Sequence, residues 1–286
     1  MFTRGLRLLT TGPMAIISLA GANGISRFSQ CSSYTNTAAT LPNLKVDNLP
    51  QNVTVYQYKI CPFCHRVKAY LDYLRIPYIT VEVNPLTKSE LRWSADYKKV
   101  PIVVFDDKQL NDSGNILDHI NQSLVSAPAA QKVGLFPDDT AKWMEWSEKR
   151  LAVLLYPNIT RSFQESWECF GYTMDVLEWN PIVRAGTRFA GAAAMSVAND
   201  KIKKKYNIVN ERAELETLLC EWTAAVGDKA FLHGSHITMP DLMVYGVLRS
   251  IEGFSTWNEI MKSNAALSAW YKRVQALTPS CEMVKK

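Results

Sequence analysis

Val53-Thr54-Val55-Tyr56-Gln57-Tyr58-Lys59-Ile60-Cys61-Pro62-Phe63-Cys64-His65-Arg66-Val67 is the stretch on which the fold turns. Its first half carries Val53, Val55, Tyr56 and Tyr58, a β-branched and aromatic run that reads as a strand. Beyond the two cysteines, Val67, Tyr70, Leu71 and Leu74 recur at helical spacing. Cys61 therefore falls where a strand gives way to a helix, with Pro62 at the first helical position. A helix start offers unpaired N–H groups and the positive end of the helix dipole, so a thiolate there is favoured over a thiol. Such placement can bring a cysteine from about 8.5 into the range of roughly 3.5–7.5. Cys64 sits one turn deeper and is the candidate resolving thiol.

Other readings of the pair stay open. A zinc site would need two more ligands, and His65 is the only one nearby; His119, His233 and His236 show no pattern. A structural disulfide suits an oxidising compartment, and two inert core cysteines would need no chemistry at all. His65 is expected as an exposed helix residue beside the pair.

Working outward, Pro77 stops the helix and Tyr78–Val83 forms a second strand. Leu86–Trp93 reads as a short helix and Val100–Phe105 as a third strand. Asp106-Asp107-Lys108 turns into a brief fourth strand at Gln109-Leu110, and Ser113 caps a helix through Ile116, Leu117 and Ile120. The order β-α-β-α-β-β-α occupies residues 50–124. Two positions in it fit a thiol site. Val100-Pro101 opens a strand straight after a loop; a cis proline there would leave the Val100 backbone free to pair with an extended peptide, and a trans one would be an ordinary strand start. Asp112-Ser113 begins the last helix, either as a plain N-cap or as a seat for a small carboxylate.

Residues 125–137, rich in Ser, Ala, Pro and Gly, read as a linker, and 138–286 as an all-helical second domain. Trp143, Trp146, Leu151, Leu154 and Leu155 mark one helix, and Trp167, Phe170, Met174 and Leu177 another. Pro181–Tyr206 contains Gly191-Ala192-Ala193-Ala194, where helices can approach closely. Leu215, Leu218, Leu219, Trp222 and Val226 line a further helix. Thr238-Met239-Pro240-Asp241 is a capping box. Ala265–Leu277 is the last helix. Trp143, Trp146, Trp167 and Trp222 read as core, Lys201–Lys205 as a solvated face, and Cys169, Cys220 and Cys281 as non-catalytic, Cys220 being expected buried among apolar neighbours.

Residues 1–46 differ from the rest: they contain Arg4, Arg7 and Arg27, a hydroxyl-rich run, and no Asp or Glu. That is the composition of an organelle transit peptide, here read as mitochondrial. The apolar run Leu8–Ala22 is interrupted by Thr10, Thr11, Gly12 and Pro13, short of the ~20 residues a spanning helix needs. A retained leader acting as a membrane anchor is the alternative, and Cys31 within it has no assigned role. The net charge of +5 is spread without a basic stripe, which argues against a nucleic-acid partner. Composition at 47% hydrophobic and 21% charged is that of a globular chain.

The strand–Cys61-Pro62-Phe63-Cys64–helix unit, Val100-Pro101 and Asp112-Ser113, followed by a helical domain, resemble the glutathione transferase superfamily with a glutaredoxin-like first half. The strings Val81-Glu82-Val83-Asn84-Pro85, Tyr97-Lys98-Lys99-Val100-Pro101, Trp222–Gly227 and Asp241–Arg249 are similar to the membrane-associated prostaglandin E synthase type 2 family. The resemblance covers residues 51–124 and 138–277. It implies an α/β thioredoxin-like N-terminal domain packed on an all-α glutathione-transferase-type domain, as a homodimer. It implies glutathione bound at Phe63, Val100, Pro101, Asp112 and Ser113, with haem held through the glutathione sulfur. Catalysis would fall to Cys61, with Cys64 beside it and the Tyr58 hydroxyl within hydrogen-bonding reach. The implied reaction isomerises a prostaglandin endoperoxide, a lipid, to the E-type prostaglandin. A glutaredoxin-like thiol–disulfide oxidoreductase and a non-catalytic haem- or glutathione-binding protein are the other readings. Animal members carry a long insertion between the domains, where this chain has only Asn121–Asp138.

Overall fold

The computed structural model describes residues 49–283, so the leader reading and Cys31 lie outside the described residues. Strands β1 (Val53–Gln57), β2 (Tyr78–Glu82), β3 (Ile102–Phe105), β4 (Lys108–Asn111) and β5 (Glu282–Met283) form one sheet in the order β4-β3-β1-β2-β5. β1 runs parallel to β2, with Val55 opposite Thr80, and antiparallel to β3, with Val55 opposite Val103. Alternation along β1 turns Val53, Val55 and Gln57 inward, onto α1 (Pro62–Tyr73).

The first domain differs from the sequence reading in detail. Residues 86–93 hold a single 3-10 turn at Ser89–Leu91, and α2 (Ser113–His119) runs on into a wide π-type turn, Ile120–Leu124. The linker contains a short helix, α3 (Ala127–Lys132), opened by Pro128.

In the second domain, α4 (Thr140–Trp146), a wide turn and α5 (Ala152–Ile159) follow one another without a break. α6 (Phe163–Cys169) gives way to a 3-10 turn at Phe170–Asp175, so the stripe expected to reach Leu177 ends early and Leu177 is exposed. Then come α7 (Pro181–Tyr206), α8 (Glu211–Val226), α9 (Met239–Arg249), α10 (Ser255–Ser263) and α11 (Ala265–Leu277). Trp143, Trp146, Trp222 and Trp270 form a stacked and edge-on core with ring centroids 5.0–6.0 Å apart. Asp241 closes the capping box on Thr238, and its buried carboxylate also accepts from Leu232 N–H at 3.0 Å and Trp270 Nε1 at 2.9 Å. Gly191 faces the Phe170 ring so closely that a Cβ would lie 2.4 Å from it.

Three expectations are corrected. The C-terminal part is not wholly helical: β5 adds to the N-terminal sheet beside β2, pairing Tyr78 with Glu282. Cys220 is exposed, because it lies just outside the stripe of Leu215, Leu218, Leu219 and Trp222 that α8 buries. His65 is buried, because α1 is packed on one side by the sheet and on the other by α9. Gly246 makes that second contact: a Cβ there would meet Arg66 Cα at 2.7 Å and His65 O at 2.8 Å.

Candidate functional site

Cys61 is the N-cap of α1, with extended backbone and Pro62 at the first helical position. Its N–H donates to the Tyr58 carbonyl at 2.9 Å, and its own carbonyl accepts from His65 N–H at 3.1 Å. Cys61 is half-buried as a residue, whereas Cys64 is fully buried. A hydrogen bond from the Cys64 thiol pulls the Cys61 titration down; burial opposes it, and the backbone N–H groups of Cys64 and Phe63 add to the lowering. Burial together with the charge on Cys61 pushes Cys64 well up. Of the pair, Cys61 is therefore the thiol that gives up its proton first, and Cys64 the one that holds it longer.

Tyr58 was expected to reach the thiol through its hydroxyl. The tie the structure shows is the backbone one, and the side-chain donor to Cys61 is Cys64. Burial first, then the charges of Cys61 and Cys64, push the Tyr58 phenol up to about 12, so it stays protonated. His65 Nε2 is 2.7 Å from the Lys59 carbonyl; burial drives its titration well down, leaving a neutral ring that holds the loop rather than touching the thiol.

The Val100–Pro101 peptide bond is cis. Val100 is half-buried, and its backbone groups have no backbone partner among the described residues. The Pro101 carbonyl accepts from Asp112 N–H at 3.3 Å, which ties that loop to the start of α2. Asp112 is exposed with φ +71°, a region L residues enter at about 1–3 kcal/mol, and its Oδ1 accepts from Gly114 N–H at 2.9 Å. Ser113 beside it is buried. Phe63, between the cysteines, is half-buried and packs on the main core. Tyr58, Tyr97 and Val100 pack together on Val83, Leu91 and Ile102. Tyr97 is raised by burial and then by the charges of Asp112, Cys64 and Cys61.

Sequence reading missed several residues here. Glu82, at the end of β2 opposite Gln57, accepts from Lys59 N–H at 2.8 Å and from Gln57 Nε2 at 3.2 Å. Burial pushes it up to about 8. Its only signal was an acid inside the strand Val81-Glu82-Val83. From the second domain, Tyr156 of α5 and Tyr172 are both raised, first by burial, and both feel the charge of Cys61. Lys59 and Asp175 span the same gap at 3.9 Å. Nothing local in the sequence marks Tyr156 or Tyr172 as neighbours of the thiol. Among the described residues no group of three His, Cys, Asp or Glu side chains is arranged to hold a metal. The arrangement offers a thiol lowered from its ordinary range with a buried proton donor behind it, a free backbone edge, and a carboxylate and hydroxyl at a helix start.

A family model for the glutathione S-transferase N-terminal domain matches residues 55–124. Prostaglandin E synthase 2 of Danio rerio is 31% identical over 79% of this chain and 71% of its own. The Mus musculus protein of that name is 29% identical over 94% of this chain and 81% of its own. Among solved structures, a glutathione S-transferase from Sinorhizobium meliloti 1021 superposes with TM-score 0.52 at 13% identity, over 79% of this chain and 88% of that one, a likeness of fold.

Proposed function

This chain belongs to the prostaglandin E synthase 2 family, and on that premise we propose that it is a glutathione-linked enzyme whose Cys61 thiolate isomerises a prostaglandin endoperoxide to the E-type prostaglandin. The observation that carries the reading is the lowered thiol of Cys61, held at a helix start by the Cys64 thiol and two backbone N–H groups. In that form Cys61 takes the proton from the ring carbon bearing one peroxide oxygen. The C–H pair becomes the carbonyl π bond, the O–O bond breaks toward the second oxygen, and the alkoxide so formed takes the proton back from the Cys61 thiol. No electrons enter or leave. Tyr58, protonated up to about pH 12, is the hydrogen-bond donor for the developing alkoxide.

The residues present fit glutathione. Val100 offers unpaired backbone to a cysteinyl residue, Asp112 a carboxylate to an α-amino group, and Ser113 a hydroxyl to an α-carboxylate. Bound glutathione would supply a second thiol beside Cys61. The histidine next to the pair, His65, is buried with Nε2 turned to the Lys59 carbonyl and is not placed to ligate haem, which would instead have to be held through the sulfur of bound glutathione. We take residues 1–46 as a mitochondrial import address, to be tested by where a fluorescent protein carrying residues 1–48 goes and whether alkali strips it from membranes.

The activity test is product analysis of a prostaglandin endoperoxide incubated with the full chain, wild type beside Cys61→Ser. E-type product that vanishes in the serine variant is the expected result. Background product in both variants would refute the isomerase. The contact between the Cys64 thiol and Cys61 favours a second reading, glutathione-linked thiol–disulfide exchange, in which Cys61 attacks a mixed disulfide and Cys64 displaces the product. Loss of disulfide reduction in Cys64→Ser with isomerisation intact would assign Cys64 to that role alone.

A further inference from the structure

Tyr58 and Lys59 share one peptide group that lies between Cys61 and a carboxyl group. Its carbonyl accepts from Cys61 N–H at 2.9 Å, and its N–H donates to Glu82 Oε1 at 2.8 Å. Hydrogen bonds in series polarise one another, so the acceptor on one side of that group strengthens the bond on the other. The next peptide group is held as well, by His65 Nε2 on the Lys59 carbonyl at 2.7 Å. Behind Glu82 the chain of bonds continues. Gln57 Nε2 donates to Glu82 Oε2 at 3.2 Å, and Gln57 Oε1 accepts from Lys68 Nζ at 3.1 Å. An ammonium only donates, so Lys68 fixes which end of the Gln57 amide faces it and leaves the NH2 end for Glu82. Lys68 in turn pairs with Glu282 Oε2 at 2.8 Å, and Glu282 Oε1 accepts from Thr80 Oγ1 at 2.5 Å. Gln57 and Lys68 are both buried, which keeps bulk water from competing for these bonds.

We propose that Glu82 is a positioning residue for the Cys61 thiol, and that the bonds through Gln57 and Lys68 place it under the control of Glu282 on the C-terminal strand. Glu82 acts through the backbone. With its carboxyl in place, the turn from Tyr58 keeps Cys61 at the N-cap of α1, where the N–H groups of Phe63 and Cys64 reach its sulfur. It also acts through charge. The titratable and charged groups around the Glu82 carboxyl are Lys59, Lys68, both thiols, Tyr58 and Tyr172. Below about 8 the carboxyl is mostly protonated, and a negative charge there opposes the Cys61 thiolate. Paired with Glu282, Lys68 has its charge balanced, and Glu82 keeps its proton at neutral pH. A neutral side chain at position 282 leaves Lys68 to draw negative charge onto Glu82. A two-residue strand from the far end of the chain is thus part of the thiol site, whichever chemistry Cys61 performs.

Alkylation of Cys61 by iodoacetamide at pH 7, read by mass spectrometry on the full chain carrying Cys220→Ser, follows the thiol directly and needs no substrate. Glu82→Ala is expected to slow it about five-fold, the worth of one lost hydrogen bond. Glu82→Gln keeps an acceptor for Lys59 N–H and is uncharged like the protonated acid, so its rate should stay within about two-fold of wild type. Glu282→Gln should slow the reaction at least about two-fold, and should have no effect in the Glu82→Gln background. Glu148→Gln breaks the other buried ion pair of α1, with Arg66, and should leave the rate alone. A wild-type rate in Glu82→Ala, or a rate in Glu82→Gln as slow as in Glu82→Ala, would overturn the positioning role. A wild-type rate in Glu282→Gln, an effect that persists in the Glu82→Gln background, or one that Glu148→Gln matches would overturn the control by the C-terminal strand. Should Glu82→Ala fail to fold, Glu82→Gln and Glu282→Gln, alone and combined, decide the matter.

Discussion

Gly246→Ala tests whether the second domain sets the position of the thiol. A Cβ at 246 would stand 2.7 Å from Arg66 Cα, 2.8 Å from His65 O and 2.9 Å from Arg66 N. All three are backbone atoms of α1, so no side chain can swing aside. Relief to an ordinary contact of about 3.5–4.0 Å needs α1 and α9 to separate by roughly 1 Å along their whole crossing. Overpacking of this kind costs about 1–3 kcal/mol. For a chain of this size each kcal/mol is about 2–4 °C in Tm, so the expected loss is on the order of 2–12 °C. Because His65 follows Cys64 directly, the same movement displaces the start of α1 from Val100 and Asp112. The assay pairs a calorimetric melt with the alkylation rate of Cys61, read by mass spectrometry in a Cys220→Ser background to remove the exposed thiol. A Tm within about 1 °C of wild type would refute the claim that α9 fixes α1. A lowered Tm with an unchanged Cys61 rate would refute only the coupling to the site.

Glu82, pushed up to about 8, holds its proton more tightly folded than unfolded, so its contribution to stability is full below the ordinary carboxylate range and is lost as pH rises toward 8. Glu82→Gln is therefore expected to gain stability over wild type between pH 5 and pH 8.5, read as a growing difference in urea midpoint; a constant difference would contradict the assignment. Cys64→Ala, which removes the donor to Cys61, should move the Cys61 titration upward, and Cys64→Ser should move it less, as followed by thiolate absorbance; equal titrations in all three proteins would discard the hydrogen bond. Asp112→Asn keeps the Oδ1 acceptor for Gly114 N–H but loses the charge, and should weaken glutathione binding by about ten-fold in calorimetry with Tm unchanged.

How far the sequence could be read depended on the range of the signal. β1, α1 and the Cys61–Cys64 turn were legible because each is written in adjacent residues: β-branched alternation, Pro after the cap, apolar spacing of three and four. The capping box at Thr238 was legible for the same reason. What failed was long-range. Periodicity expects a helix to have a wet face, and His65 was assigned to it; α1 has no such face, and Arg66, Lys68 and Asp72 are buried on it as well. β5 is two residues long and pairs with a strand some two hundred positions earlier, beyond any local pattern. Tyr156 and Tyr172 approach Cys61 only because the two domains pack.

The polar residues buried on α1 explain why the two domains act as one unit. Beside local bonds to Gln57 and Tyr78, the three charged ones take ion-pair partners from the far part of the chain: Arg66 Nη1 donates to Glu148 at 2.8 Å, Lys68 Nζ to Glu282 at 2.8 Å, and Asp72 accepts from Arg249 and from Cys281 N–H at 2.7 Å. Removing one partner of a buried ion pair costs about 3–5 kcal/mol, because the other charge is left unpaired in low dielectric. The half-exposed Glu148 and Glu282 discount two of these three, yet their sum still rivals the ~5–15 kcal/mol that holds a domain folded. Burial of Asp72 raises its carboxyl even with Arg249 beside it, so without that arginine the group would have to take up a proton or draw in water. Residues 49–124 alone, though they contain every candidate glutathione contact and both thiols, are therefore expected to lack a cooperative thermal transition by circular dichroism. A sharp, reversible melt of that fragment would show that α1 tolerates its buried charges unaided, and the thiol site would then owe nothing to the helical domain.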